Sequence, residues 1–256
     1  MSTLAARFAA GDTMFTAWSS LPEALTTEAL CAAPFDVITL DMQHGGHSDD
    51  SVLRCLAPVI AARKPAIVRI PVGRNDMASR ALDFGADAVI APMINSADDA
   101  RAFAAAMKYP PVGQRSWGAA FALARRGGDG PALLGSANRD TMAIAMIETR
   151  GAFEALDDIL AVDGIDGIFV GPSDFSIAWT NGRQIAPTLE DMMEAVADIA
   201  ARTRAAGKHA GTYLVDVSVA GRFVKMGYRL FAIGAEARIL AEGARSLIGQ
   251  AKATIA

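Results

Sequence analysis

Short apolar runs recur eight times along the chain, separated by segments with helical periodicity. The strand candidates cover residues 14–20, 35–43, 65–72, 87–94, 142–149, 165–174, 209–215 and 230–237. Each run stays apolar over several residues, which is typical of strands in a parallel sheet whose two faces are both covered by helices. This regular alternation predicts an α/β fold.

The segments between the runs carry helix signals. Apolar side chains within residues 100–107 are spaced at i, i+3, i+4 and i+7, which places one apolar stripe on a helix. Ser96 and Asp99 have the spacing of a capping box just before this stripe. Pro58 interrupts the helix predicted over residues 48–63, so we expect that helix to kink or split there.

Chain length narrows the choice of α/β fold. The 256 residues allow between one and two domains of about 150 residues each. Eight strands in such a chain predict a (β/α)₈ TIM barrel, forming a single domain over residues 1–256. An open doubly wound sheet is the alternative. It is disfavoured because no GxGxxG motif follows the first strand and no shift in composition marks a second domain.

Composition and charge exclude several classes of protein. A hydrophobic fraction of 52% excludes general disorder. The chain has 28 acidic and 24 basic residues without a basic cluster, so we expect no nucleic-acid partner. No apolar run reaches the ~18 residues of a membrane span. The two cysteines and the absence of a secretory signal pattern predict a cytoplasmic enzyme.

Residues 109–140 depart from the alternation, because they are rich in Pro, Gly and polar side chains. We place this segment after the fourth strand, on the catalytic face of the barrel. A long loop in a compact domain is either functional or a solvated excursion, and both interpretations stay open. A functional role is favoured by Gln114, Arg115 and Trp117, because a loop without a function does not need such large polar and aromatic side chains.

Polar residues collect where the predicted strands end, and in a barrel the active site lies at these carboxyl ends. Arg69 lies inside an apolar strand, where an unpaired charge would be costly. It forms either a structural ion pair with a barrel carboxylate or a clamp for an oxyanion. Asp41 precedes His44 by three residues, so Asp41 could orient the imidazole of a general base.

Two carboxylates follow neighbouring strands. Glu148 and Asp174 together suit a hard divalent cation, although Glu148 alone could simply serve the helix that follows it. The turn before Asp174 exposes backbone amides that could bind a small carboxylate. We expect His47 and His209 to be structural.

Six segments resemble the HpcH/HpaI aldolases, the class II, metal-dependent pyruvate aldolases. They are LDMQHGG, IVRIPVG, PMINSADDA, YPPVGQRSWG, MIETRGA and GPSDFS, and their order and spacing match that family. The resemblance extends from about Trp18 to Glu236. It implies a TIM barrel of the phosphoenolpyruvate/pyruvate type and a carbon–carbon lyase, an aldehyde-lyase that joins pyruvate or hydroxypyruvate to an aldehyde through a metal-stabilised enolate.

The resemblance also assigns roles to the catalytic residues. Glu148 and Asp174 match the two metal ligands, and the metal would be Mg²⁺, Mn²⁺ or Co²⁺. His44 matches the catalytic histidine, and Asp41 matches its orienting partner. Arg69 matches the arginine that contacts the keto oxygen.

Substrate-binding positions follow in the same way. Gly171, Ser173 and Asp174 match the turn that receives the substrate carboxylate. The choice of aldehyde would rest with the 109–140 segment, with Trp18 and Leu214, and with a neighbouring subunit.

The resemblance further implies a homo-oligomer. Family members form hexamers, dimers of trimers, in which the last helix is exchanged between neighbours; here that helix covers about residues 237–253. Asp83 matches a position near a neighbouring subunit's site. Two positions depart from the family pattern, with Gln43 where Glu is common and Met146 where Gln is common.

Two other functions are compatible with the sequence. One is a CoA-ester lyase related to the citrate lyase β subunit, which should carry basic residues for the CoA phosphates. The other is a barrel that binds a keto acid or a metal without turnover. Lys64 and Lys208 precede their strands, so neither is placed to form a Schiff base in the site.

Overall fold

The computed structural model describes residues 3–255, apart from the side chain of Arg126. Eight parallel strands close into a barrel in sequence order, and β8 pairs with β1. The strands are β1 (Met14–Ser19), β2 (Val37–Asp41), β3 (Ala66–Arg69), β4 (Ala88–Ala91), β5 (Met142–Ile147), β6 (Gly167–Val170), β7 (His209–Tyr213) and β8 (Leu230–Ile233). The predicted (β/α)₈ barrel is therefore confirmed, and the open sheet is excluded.

Helices cover the outside of the barrel. They are α1 (Leu4–Ala9), α2 (Ala24–Ala32), α3 (Asp49–Ala61), α4 (Asn75–Phe84), α5 (Ala97–Met107), α6 (Ala120–Arg126), α7 (Gly130–Asp140), α8 (Arg150–Glu154), α9 (Leu156–Leu160), α10 (Pro172–Trp179), α11 (Met193–Ala205), α12 (Ala220–Met226) and α13 (Glu236–Ala253). None of those within residues 3–255 is both long and apolar enough to cross a membrane.

The predicted helix signals are visible in the structure. The Ser96 side chain accepts a hydrogen bond from the Asp99 amide at 3.1 Å, which confirms the predicted cap of α5. Helix α3 continues through Pro58, so the predicted split is wrong. A single proline removes only one backbone hydrogen bond, and the capping box at Ser48 with the buried face of α3 holds the helix together.

The core has two layers, because successive strand residues point to opposite faces of the sheet. One set fills the barrel and includes Met14, Ile67, Ile90, Ile144, Met146, Phe169 and Leu230. The other set lies between the strands and the helices. Strands covered on both faces need apolar side chains at nearly every position, which explains the continuous apolar runs.

The 109–140 segment was predicted to lie on the catalytic face, but it lies at the opposite end of the barrel. It follows α5, precedes β5 and contains α6 and α7. Lys108, just before it, donates to the Thr141 carbonyl at 2.6 Å and pairs with Asp166 at 2.7 Å. These two partners directly precede β5 and β6, so the segment covers the amino ends of the strands. The prediction that this segment is a loop on the catalytic face is therefore wrong. The loop that follows β4 on that face consists of residues 92–96.

Candidate active site

A pocket of about 290 Å³ opens at the carboxyl ends of the strands. It brings together every predicted site residue except one. Those that line it are Trp18, Asp41, His44, Arg69, Glu148, Gly171, Ser173 and Asp174. The fold explains this gathering, because Asp41 and Arg69 end their strands while Glu148 and Gly171 directly follow theirs.

Asp41 and Arg69 form a buried ion pair across two adjacent strands. They are register partners, and the guanidinium donates from Nε to Oδ1 at 2.8 Å and from Nη2 to Oδ2 at 2.6 Å. Trp18 Nε1 also donates to Oδ2 at 3.1 Å. Burial alone would raise the pKa of Asp41, but the hydrogen bonds and charge of Arg69, with the Trp18 bond, hold it below its ordinary value.

Asp41 also shapes the turn that carries His44. Its Oδ1 accepts hydrogen bonds from the amides of Gln43 and His44, at 3.0 and 3.3 Å. Within residues 3–255 no hydrogen bond joins the Asp41 carboxylate to the His44 imidazole. The expected ring contact is thus replaced by a backbone contact, since the carboxylate is already held by Arg69 and Trp18. A side chain at Gly45 would collide with the Asp41 carbonyl, so this turn requires glycine.

Glu148 is a buried carboxylate in a pocket with a second carboxylate. It is 2% exposed, and its Oε1 accepts a hydrogen bond from the Met93 amide at 2.8 Å. Burial raises the pKa of Glu148, and the charge of Asp174 adds to this shift. The Met93 bond and Arg69 oppose the shift without cancelling it. Glu148 is buried and Asp174 is exposed. A buried carboxylate that is repelled by a second carboxylate in the same pocket is typical of a site that binds a cation.

The donor set fits a hard divalent cation. Carboxylate oxygens are the ligands such ions prefer, and Mg²⁺ commonly takes only one or two of them. In the described part of the chain, no group of three or more His, Cys, Asp and Glu side chains could hold a metal. Thr149, rather than Glu148, caps α8, so the alternative that Glu148 serves the next helix is wrong.

The turn after β6 becomes the start of a helix. Gly171 is the N-cap residue of α10, so the amides of Ser173 and Asp174 lie in its first turn. Amides there have no partner within the helix, and they favour a bound anion. A side chain at Gly171 would collide with Oε2 of Glu148 and lie 3.0 Å from the Met146 methyl, so only glycine fits here.

Comparison with known proteins identifies the family. Residues 14–242 match the family model described as HpcH/HpaI aldolase/citrate lyase. The chain belongs to this family. The resemblance inferred from the sequence is therefore confirmed, and family membership supports the prediction of an aldolase.

Individual relatives of this HpcH/HpaI chain agree. A hydroxypyruvate/pyruvate aldolase of Roseovarius nubinhibens is 34% identical over 97% of this chain and 96% of its own length. A 4-hydroxy-2-oxo-heptane-1,7-dioate aldolase of Salmonella dublin is 34% identical over 93% and 90%. The crystal structure of an HpcH/HpaI aldolase/citrate lyase family protein from Burkholderia cenocepacia superposes with a TM-score of 0.86, at 27% identity, over 98% and 100% of the two chains.

One residue predicted for the HpcH/HpaI pocket lies elsewhere. Leu214 is 2% exposed and packs between the barrel and its helices. Tyr213 lines the pocket instead, with its ring edge-on to Trp18 at 5.6 Å between centroids. Adjacent residues at the end of a strand face opposite sides, so the alternation along β7 could have identified Tyr213. Phe169 packs on Trp18 from the barrel interior.

The two departures from the HpcH/HpaI pattern have different surroundings. Met146 lines the pocket beneath Glu148 and is 2% exposed. Its apolar side chain makes the floor of the pocket less polar. Gln43 does not line the pocket, and its Oε1 is buried without a hydrogen-bond partner in the described chain.

Several other ionisable residues are structural. Glu236 is buried, and its carboxylate accepts hydrogen bonds from the Ser19 hydroxyl at 2.6 Å and the Ser20 amide at 2.8 Å. His47 lies between the hydroxyls of Ser19 and Ser51, at 3.0 and 3.2 Å.

The remaining candidates lie at the other end of the barrel. His209, at the start of β7, stacks on Phe8 with 4.6 Å between ring centroids. Lys64 donates to the carbonyls of Ala33 and Phe35, and Lys208 donates to that of Val162. Neither lysine lines the pocket, so neither lies where a Schiff base would form.

Proposed function

We propose that this chain is a class II aldolase that reversibly joins a 2-keto acid, pyruvate or hydroxypyruvate, to an aldehyde. The proposal rests on one observation above the others. Two repelling carboxylates, Glu148 and Asp174, line the same small pocket as His44 and the ion-paired Arg69. The names of the relatives, which include hydroxypyruvate/pyruvate aldolase, agree with it.

The donor would be bound at two points. The amides of Ser173 and Asp174 at the start of α10 receive its carboxylate. Glu148 and Asp174 would hold Mg²⁺, Mn²⁺ or Co²⁺, and such an ion supplies Lewis-acid polarisation of the keto carbonyl. Oε1 of Glu148 is fixed by the Met93 amide, which orients this carboxylate before any ligand binds.

Arg69 stabilises the negative charge that develops on the keto oxygen. Its guanidinium is always charged, and Asp41 fixes its plane through two hydrogen bonds. Its Cζ lies 4.8 Å from the centroid of the Trp18 ring, which closes off one face. A preorganised donor of this kind acts without reorganising during the reaction.

His44 removes the proton from C3 of the donor. Its ring lines the pocket, while its backbone is fixed by Asp41 through the amide hydrogen bond. An imidazole is suited to this step because its ordinary pKa lies near neutral pH. The aldehyde then binds against Trp18 and Tyr213, on the open side of the pocket.

The chain forms a homo-oligomer through α13 in this proposal. Among the described residues of this helix only Glu236 is buried, while Leu240 and Leu247 are 68% and 69% exposed and Ile248 is also exposed. An apolar stripe of this size on one helix favours packing against another subunit. Exchange of α13 in a hexamer, a dimer of trimers, would cover it.

The cysteines support a cytoplasmic location. Cys31 and Cys55 are both buried and free. Thiols of this kind persist in a reducing compartment.

The charges of the pocket disfavour the CoA-ester lyase alternative. Among the described residues that line it, Arg69 is the only Lys or Arg, and Asp41 already pairs with it. A CoA phosphate tail would find no cation there. The non-catalytic alternative is disfavoured because a base, a charge stabiliser and two carboxylates face the same cavity.

The deciding experiment is an aldol cleavage assay with several donors and aldehydes, run with and without EDTA. Chelation should abolish activity, and Mg²⁺, Mn²⁺ or Co²⁺ should restore it. Glu148→Gln and Asp174→Asn should each weaken metal binding with the fold intact, while Asp98→Asn, an exposed acid-to-amide control, should not. Full activity in EDTA, a borohydride-trapped lysine adduct, or turnover of malyl-CoA thioesters alone would contradict the proposal.

A further inference from the structure

Met93, in the loop of residues 92–96 after β4, has a backbone conformation that is uncommon for a residue with a side chain. Its φ is 54°, which lies in the left-handed region. Residues other than glycine keep such a conformation where the surrounding structure holds them in it. In this conformation the Met93 amide donates to Oε1 of Glu148 at 2.8 Å. Whatever holds Met93 in place therefore also holds Glu148.

The side chain of Asn95 joins this loop to the residue that directly follows Glu148. Its Nδ2 donates to the Met93 carbonyl at 3.0 Å, and its Oδ1 accepts a hydrogen bond from the Thr149 hydroxyl at 2.5 Å. A side-chain amide has both a donor and an acceptor, so the two contacts form together. We call this pair of contacts the Asn95 bridge. It closes a ring that runs from Glu148 through Thr149, Asn95 and Met93 back to Glu148.

Both ends of the Asn95 bridge are attached to the starts of helices. The Thr149 hydroxyl also accepts a hydrogen bond from the Ala152 amide at 3.0 Å, which caps α8. The Asn95 backbone amide donates to the Asp99 carboxylate at 3.1 Å, in the first turn of α5. The bridge therefore connects two fixed points, and it can hold the loop between them in one conformation.

Glu148 needs such support because of its surroundings. It is 2% exposed, and Asp174 lines the same pocket. Two carboxylates with no cation between them repel each other, so Glu148 tends to turn away from Asp174 unless another group holds it. Residues that orient a metal ligand through a hydrogen bond typically change the metal affinity when they are replaced.

We propose that Asn95 is a positioning residue for Glu148. By keeping Met93 in its left-handed conformation, it keeps the Met93 amide on the Glu148 carboxylate before a cation binds. Asn95 is not among the described residues that line the pocket, so it acts through Met93 and Thr149. The inference rests on the proposed function, because it takes Glu148 as a ligand of the divalent cation.

The test compares Asn95→Ala with Asn138→Ala in the full-length protein. Asn138 is the matched control, because its side-chain amide also makes two hydrogen bonds to a loop. It accepts one from the Tyr109 amide at 2.7 Å and donates one to the Tyr109 carbonyl at 2.9 Å, at the opposite end of the barrel. Mn²⁺ affinity, measured by calorimetry, should fall about threefold to tenfold in Asn95→Ala and stay unchanged in Asn138→Ala. Melting temperatures should fall in both variants, so only Mn²⁺ affinity separates positioning from a general loss of stability.

A second measurement needs no metal. Hydrogen exchange at the Met93 amide, followed in the metal-free protein, should be faster in Asn95→Ala and unchanged in Asn138→Ala, because only the first releases this amide from Glu148. Thr149→Val, which breaks the Asn95 bridge from its other end, should also lower Mn²⁺ affinity. Thr149→Ser keeps the hydroxyl and should retain the affinity.

Three results would overturn the positioning role. They are an unchanged Mn²⁺ affinity in Asn95→Ala, an equal loss of affinity in Asn138→Ala, and unchanged exchange at the Met93 amide in Asn95→Ala. Glu148→Gln separates this failure from a failure of the proposed function. If Glu148→Gln weakens Mn²⁺ binding and Asn95→Ala does not, only the role of Asn95 is wrong. If Glu148→Gln itself binds Mn²⁺ normally, the proposed metal site is wrong and the inference falls with it.

Discussion

The Asp41 carboxylate accepts hydrogen bonds from two of the nitrogen atoms of Arg69, at 2.8 Å from Nε and 2.6 Å from Nη2. Nη1 has no hydrogen bond among the described residues, and the side chain lines the pocket. The sequence left two interpretations open, a structural ion pair or an oxyanion clamp. The structure shows the ion pair, which orients the guanidinium, and the proposed clamp is compatible with it because one nitrogen stays available for a substrate oxygen.

Arg69→Lys tests this combined role. Lysine keeps the charge and loses the planar fork, so Asp41 would keep one contact at most and the ring of Trp18 would lose the stacked guanidinium. We expect exchange of the donor C3 protons into D₂O, measured without aldehyde, to fall at least about tenfold per folded molecule. The melting temperature should fall as well, because a buried carboxylate loses at least one of its two hydrogen bonds from residue 69. Normal exchange in a destabilised variant would leave Arg69 a structural role only.

His44→Ala tests the proposed base. We expect kcat to fall by roughly 10²–10⁴-fold, the usual effect of losing a positioned general base. The KM for the donor should change less, because Ser173, Asp174 and Glu148 still bind it. A rise in KM at constant kcat would make His44 a binding residue instead. Circular dichroism should show an unchanged fold, because Asp41 contacts the backbone of residue 44 and not its ring.

Gly171→Ala tests the geometry of the two carboxylates. The added methyl group would collide with Oε2 of Glu148, so that carboxylate must move. We expect Mn²⁺ affinity, measured by calorimetry, to fall about 10-fold to 100-fold or more. Gly151→Ala is the matched control, since its methyl group would meet nothing closer than 3.9 Å. Equal Mn²⁺ affinity in both variants would show that Glu148 is not a ligand.

His47 predicts a pH dependence of stability. Burial lowers the pKa of His47, while the charges of Glu236 and Asp41 act against this shift. As the pH falls through about 6.5, the unfolded chain therefore takes up a proton before the folded chain does. The free energy of unfolding should decrease over this range as the pH falls.

Thermal melts between about pH 8 and pH 5 measure this effect. His47→Gln should flatten the dependence in part, and His209→Gln should remove a second part, because burial lowers the pKa of His209 too. A wild-type slope that neither variant reduces would contradict the lowered pKa of both histidines in the folded chain.

The fold could be predicted largely because its strands are buried on both faces. Each apolar run contains or overlaps an observed strand, as residues 142–149 contain β5 and residues 65–72 contain β3. The pocket residues could be placed because strand ends meet at one rim. The prediction for the 109–140 segment was wrong because its composition was taken as a connection directly after β4. The helix predicted over residues 100–107 lies between β4 and this segment, and it carries the chain back to the amino ends of the strands.

Side-chain direction was the other part that the sequence left open. Leu214 and Tyr213 are neighbours that face opposite sides, so an error of one residue in the alternation along β7 selects the wrong side chain. The Asp41 carboxylate accepts hydrogen bonds from a guanidinium, an indole and backbone amides. Which donors reach it depends on distances that exist only in the folded chain. The resemblance pointed to residues that, apart from Leu214, line one pocket, but it could not show these contacts.

Glu236 is the first residue of α13, and its carboxylate accepts hydrogen bonds from the Ser19 hydroxyl and the Ser20 amide, directly after Trp18. These hydrogen bonds join the start of the last helix directly to the rim of the pocket. If a neighbouring subunit packs on α13, as proposed, its contacts act on the wall that is proposed to bind the aldehyde. Assembly and acceptor selectivity should then vary together, and shortening the chain before Glu236 would release the rim as well as the partner.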